Sequence, residues 1–207
     1  MKNETDMFRY ERELMSRGIY YIAGVDEAGR GPLAGPVAAA ACIPCLDKPV
    51  AGVNDSKKLT PKKREELYEK IRETAVSYKV VMLDNQVIDE INILEATKRA
   101  MREALEGLFP IPEYVILDAV KFNDLPYPAM SIIHGDALSH SIAAASIMAK
   151  VERDRLMQKY AEQYPEYGFE SHKGYGSKHH IEMILKYGPS PIHRMSFLKN
   201  ILGDKNG

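Results

Sequence analysis

A chain of 207 residues, 45% hydrophobic and 28% charged, is sized for one domain with a substantial core, and its composition excludes a disordered or membrane-embedded class. No apolar run approaches the roughly 20 residues of a membrane span, and the charged start, residues 1–12, carries no secretory signal, so a soluble, cytoplasmic, monomeric protein is expected. The formal net charge is −1, so bulk charge announces no nucleic-acid partner and any basic footprint must be local.

Met7, Tyr10, Glu11 and Leu14 recur at helical spacing and predict a short amphipathic helix over residues 5–17, with no chemistry assigned to it. An apolar run at 19–25 then leads into adjacent carboxylates, Asp26 and Glu27, followed by Gly29-Arg30-Gly31 and a second apolar run at 37–43. This reads as two strands, short enough in connection to be antiparallel, joined by a loop of bare backbone. Two carboxylates at a strand end suit a hard divalent cation such as Mg²⁺. Neighbouring side chains of a regular strand face opposite ways, however, so Asp26 and Glu27 share one site only if the strand ends or bends there. An exposed acidic turn is the plainer alternative. Cys42 and Cys45 have no second cysteine pair and are read as packing residues.

Thr60 and Pro61 mark the start of a helix running to Thr74. Its approach is basic, with Lys57, Lys58, Lys62, Lys63 and Arg64, which suits either a solvated face or a phosphate contact. A third strand is expected at 78–83 and a helix at 88–108, with Ile91, Leu94, Met101, Leu105 and Leu108 facing the core. Residues 114–117 are continuously apolar, as in a strand buried on both faces. That run ends in Asp118, which places a further carboxylate at the rim where open α/β sheets gather ligands. A fifth strand at 129–133 precedes His134-Gly135-Asp136 and a helix at 138–160 rich in small residues. Asp154, between Arg153 and Arg155, reads as an ion-pairing residue. The basic tail holds four of the six histidines, without a zinc spacing, and these are read as surface or phosphate-facing groups. Ser177 is the expected cap of a helix that stops at Gly188.

The string at 21–37, with its Asp26-Glu27-Ala-Gly29-Arg30-Gly31 centre, resembles the bacterial ribonuclease HII (type 2 ribonuclease H) family. The likeness continues through Asp55-Ser56-Lys57-Lys58-Leu59, the Ala143-Ala-Ala-Ser-Ile147 stretch, Ala149-Lys150-Val151 and Lys173-Gly-Tyr175, and covers nearly everything from Gly18 onward. It implies an α/β ribonuclease H-like fold: a five-stranded mixed sheet flanked by helices, with a catalytic core over about 18–163 and a helical, substrate-binding extension over about 164–207. It also implies a catalytic, metal-binding set of Asp26, Glu27, Asp118 and Asp136 around two Mg²⁺ or Mn²⁺ ions. Gly29, Arg30 and Gly31 would read the ribose, Ser56, Lys57 and Lys150 would hold the nucleic-acid backbone, and Tyr175 would meet the sugar at the junction of ribonucleotide and deoxyribonucleotide. The implied substrates are RNA–DNA hybrids and duplex DNA bearing single ribonucleotides, cut to leave 5′-phosphate and 3′-hydroxyl ends. A replication clamp is left open as a partner. The competing expectations are an inactive nucleic-acid-binding protein on the same fold, a metal-dependent DNA nuclease, and a redox protein using Cys42 and Cys45.

Overall fold

The computed structural model describes residues 6–203. Five strands form one mixed sheet in the order β3-β2-β1-β4-β5. β1 (Ile22–Ala28) pairs antiparallel with β2 (Val37–Ile43), and β2 with β3 (Ser77–Leu83). β4 (Tyr114–Asp118) runs parallel to β1, and β5 (Ala129–Ile132) parallel to β4. β2 is buried along its whole length, and its small side chains divide between two layers. Ala39, Ala41 and Ile43 pack with α3 (Asn85–Ile91) and α4 (Ile93–Glu106). Ala40 and Cys42 face α2 (Pro61–Thr74) and α5 (His140–Gln163). The buried Cys42 thiol is pushed up to about 12 by desolvation, as expected of a packing residue.

Local signals in the sequence account for several boundaries. Thr60 Oγ1 accepts from Lys63 N and Ser177 Oγ from His180 N, so both expected caps form. The single helix expected at 88–108 is two. Asn92 sits at φ 67°, and its side chain caps Leu94 N and Glu95 N, which starts a second helix in a new direction. Leu94 is consequently exposed, and Ala96, Ala100 and Ala104 fill the core beside Met101 and Leu105. The first strand lies three residues later than the apolar run suggests, because Tyr20 and Tyr21 stay outside the core.

Gly24 explains how α5 reaches the sheet. A Cβ at this position would lie 2.0 Å from the Ser141 carbonyl carbon, so helix and strand backbones touch with no side chain between them. The amino-terminal helix α1 (Arg9–Ser16) packs against the same end of α5 through Leu14, Ile22 and Ile142.

After α5 the chain forms a smaller lobe of α6 (Phe169–His172), α7 (Lys178–Tyr187) and α8 (Met195–Leu202). Its apolar centre, with Phe169, Ile184, Ile192 and Leu198, also takes in Ala34 from the glycine loop and Met157 from α5. Among the described residues no helix is long and apolar enough to cross a membrane.

Candidate active site

The register of two parallel strands builds the acidic site. Val25 pairs with Leu117, so Asp26 and Asp118 follow side by side, Asp118 at the carboxyl end of β4 and Asp26 two residues before that of β1. Both share the alternation of Gly24 and Ile116 and turn toward α5. Asp136 arrives on the turn Gly135–Ala137, directly before that helix. Asp118 Oδ1 accepts from Gly135 N at 2.7 Å, tying this turn to the strand end. One oxygen from each of Asp26, Asp118 and Asp136 lies within 4.8 Å of the others.

Glu27 is placed differently. β1 neither ends nor bends at the acidic pair; it continues through Ala28, with Asp26 opposite Ala40 and Glu27 opposite Ala39. Three carboxylates therefore meet directly, where the sequence suggested four. Glu27 stands at the edge of the group, with Oε1 3.3 Å from Arg30 Nη1 and Oε2 buried without a partner among the described residues.

Burial and crowding shape the electrostatics. Desolvation, then the charge of Glu27, holds the Asp26 carboxyl well above its usual range. Desolvation also raises Glu27, against the pull of Arg30. Asp136 is raised by burial and by the neighbouring Asp55 and Asp118. Lys57 Nζ lies 4.0 Å from Asp136. Burial works against its charge, but the summed field of Asp136, Asp26, Asp55 and Asp118 prevails and raises its pKa.

Ser56, expected at the nucleic acid, is buried. Its hydroxyl lies 3.0 Å from that of Ser146 on α5, and Ser146 in turn neighbours Asp26 and partly offsets the rise in its pKa. Its side chain thus supports a carboxylate from within, and its link to any bound strand is indirect. The rest of the basic cluster is largely committed: Arg64 donates to the Ser56 and Leu59 carbonyls, and Lys58 pairs with Asp55. Lys150 pairs with Asp154 at 2.6 Å, with Arg64 at 3.9 Å on the other carboxylate oxygen. Asp154 is the ion-pairing residue expected, although its partners are not its sequence neighbours. Lys150, Arg64, Arg155 and Lys173 line an open groove together with Tyr175.

The glycine loop is gripped from inside. Gly29 has φ +93°, and a Cβ there would lie 2.0 Å from Arg153 Nε. Arg153 donates to the carbonyls of Pro36, Ala34 and Lys173, and Arg194 to those of Gly29, Arg30, Gly35 and Pro36. Burial, then repulsion from Arg153, lowers Arg194 to about 9. Tyr175 faces the loop from the small lobe: a Cβ on Gly31 would be 3.6 Å from its Cε1. Leu33 N donates to the Gly174 carbonyl at 2.8 Å, closing the two segments together.

Histidines hold the Tyr175 segment, and His180 and His193 are buried, contrary to the surface placement expected. Ser190 N donates to His193 Nδ1 at 2.8 Å, which leaves the proton on Nε2 to meet His180 Nε2 at 3.0 Å. His180 Nδ1 then donates to the Tyr175 carbonyl at 2.8 Å. His172 donates from Nε2 to the Tyr167 carbonyl and accepts Gly174 N at Nδ1. Every ring nitrogen of these three is thereby engaged. Ser146, Arg153, Arg194 and these histidines form the part of the site that motif reading did not find.

The donor set fits a hard divalent ion: clustered carboxylate oxygens, mutually repelling when ionised, with the unpartnered Glu27 Oε2 beside them. Comparison with known proteins agrees. Residues 23–200 match the family model described as Ribonuclease HII. A ribonuclease HII of Caldicellulosiruptor saccharolyticus is 54% identical over 96% of this chain and 97% of its own length. The crystal structure of ribonuclease H2 from Pyrococcus horikoshii superposes with a TM-score of 0.74 at 29% identity, covering 87% of this chain and 96% of that one. The Archaeoglobus fulgidus ribonuclease HII, solved in a complex with PCNA, gives a TM-score of 0.72 at 28% identity over 89% and 98% of the two chains. With its acidic rim at the ends of β1 and β4 and its glycine loop alongside, this chain belongs to the ribonuclease HII family and is an endonuclease of the ribonuclease H class.

Proposed function

We propose that this enzyme hydrolyses the RNA strand of RNA–DNA hybrids and cuts on the 5′ side of single ribonucleotides embedded in duplex DNA, leaving 5′-phosphate and 3′-hydroxyl ends. The observation that carries this reading is the convergence of Asp26, Asp118 and Asp136 beside a glycine loop faced by Tyr175.

Asp26, Asp118 and Asp136 would hold Mg²⁺ or Mn²⁺ through carboxylate oxygens, and Glu27 would contribute from the edge with its unpartnered Oε2. When bound, two such ions supply an activated water and offset the charge on the departing 3′ oxygen. The chain's own groups orient the strand. Main-chain groups of Gly29, Arg30 and Gly31 sense the 2′-hydroxyl, which donates and accepts and is the chief difference between RNA and DNA at one nucleotide. Tyr175 packs on the deoxyribose that follows. Lys57 takes a phosphate at the site, and Lys150 borders the groove leading away; such contacts position a strand without reading sequence. The small lobe from about residue 164 is thereby the substrate-binding part, since it supplies Tyr175.

The deciding experiment is cleavage of duplex DNA bearing one ribonucleotide, with products mapped to the nucleotide and a chelator control. An all-DNA duplex cut equally well would favour a DNA nuclease. Binding without cleavage in saturating Mg²⁺ or Mn²⁺ would favour an inactive binder.

A further inference from the structure

α1 carries no residue of the acidic cluster, yet its first turns close over the segment that presents Asp136. Glu11 is buried on α1. Its Oε1 accepts from Ser139 Oγ at 2.7 Å and from Ser141 N at 2.9 Å. Ser139 Oγ accepts from Ile142 N and so caps α5. The Met7 carbonyl accepts from His140 N at 2.8 Å, and the Phe8 ring stacks on His140 at 4.7 Å. Residues 139–141 are therefore gripped on consecutive positions by a segment some 130 residues distant.

The first of these residues, Ser139, also anchors the Asp136 turn. Leu138 N and Ser139 N both donate to the Gly135 carbonyl, and Gly135 N donates to Asp118. The turn is thus pinned at one end by a carboxylate of the cluster and at the other by Glu11. α5 has no acidic residue in its own first turn, where a negative charge is favourable to a helix. Glu11 stands at that helix end from another element, with Oε1 accepting both bonds.

We propose that Glu11 is a positioning residue, fixing the helix start so that Asp136 reaches its place beside Asp26 and Asp118. This rests on the reading of Asp136 as a metal ligand.

The test titrates Mn²⁺ alone into the full-length protein by calorimetry, alongside thermal unfolding, in parent, Glu11→Ala, Glu11→Gln, Asp136→Ala and the Glu11→Ala/Asp136→Ala pair. Glu11→Ala should weaken Mn²⁺ binding about tenfold, the scale of a group that orients a ligand. Glu11→Gln, whose amide oxygen still accepts both bonds, should stay near the parent. Adding Glu11→Ala to Asp136→Ala should weaken binding no further. Should Glu11→Ala not fold, Ser139→Ala removes one of its two donors and should weaken binding in the same direction. Unchanged Mn²⁺ affinity in a folded Glu11→Ala or Ser139→Ala protein overturns the proposal, as does equal weakening with and without Asp136. Unchanged affinity in Asp136→Ala instead overturns the ligand reading beneath it.

Discussion

Arg153 and Arg194 donate to the same oxygen. Arg153 Nε reaches the Pro36 carbonyl at 2.9 Å and Arg194 Nη2 reaches it at 3.0 Å. Two like charges are thus buried around one loop, and neither has a carboxylate partner among the described residues. Their stabilisation comes from carbonyl dipoles, whose inward orientation they fix in return. A guanidinium fork is suited to this; an ammonium is not.

Arg194→Lys keeps the charge and loses most of the fork. It should destabilise the fold by about 1–3 kcal/mol, the cost of leaving buried acceptors unpaired. It should also lower cleavage beside a single ribonucleotide more than it lowers Mn²⁺ affinity, because it loosens the loop and leaves the carboxylates in place. Denaturant unfolding, kinetics and calorimetry together check this; equal loss of cleavage and metal affinity would argue against it.

Gly29 and Gly31 should separate by substitution. Alanine at Gly29 meets both positive φ and the Arg153 guanidinium, and should cost about 2 kcal/mol or more. Alanine at Gly31 makes only an ordinary contact with Tyr175. That variant should keep its unfolding temperature while losing activity on embedded ribonucleotides. Melting curves and cleavage assays on both variants decide the matter.

Asp26→Asn should reduce cleavage to background and stabilise the metal-free protein at neutral pH by about 0.5–2 kcal/mol. Burial and Glu27 raise the Asp26 pKa in the folded state, so the folded chain binds that proton more tightly than the unfolded one. Stability from this group is full below the unfolded value, near 3.9, and is lost as pH rises through the folded value. The gain from Asn should accordingly vanish toward pH 4. Melting curves without metal across that range test the sign.

The histidine relay predicts the opposite slope. Burial is the largest cause that takes His180 and His193 from 6.5 to about 4, so the unfolded chain binds protons first as pH falls. Their contribution is full above about 6.5 and is lost on the way to 4. Asp26→Asn should expose this fall more steeply than the parent does. Imidazole chemical shifts should report both rings neutral at pH 6; titration of either near 6.5 would count against the relay.

What the sequence disclosed, and what it hid, follows from the range of the interactions. Thr60, Ser177 and the apolar strands act within a few residues, and their places were readable. Asp26 and Asp118 were readable because each closes an apolar run. That Glu27 stands at the edge of the three-carboxylate group was not readable, because strand continuity past Asp26 depends on pairing with β2, which a local pattern does not contain. Apart from the Lys173 carbonyl, Arg153 and Arg194 act on backbone carbonyls 117 to 165 residues away, and carbonyls leave no trace in residue identity. Glu11 was hidden for the same reason: its partners lie 128 and 130 residues downstream.

The main-chain contact between Gly24 and Ser141 bears on how the enzyme tolerates change. Asp26 lies two residues beyond that contact on the strand, and Asp136 lies five before it on the other chain segment. The gap the two carboxylates span is therefore gauged in part by backbone thickness. Repacking of core side chains elsewhere leaves that calibration intact, whereas a single methyl group at position 24 would drive a wedge between the two halves of the cation seat.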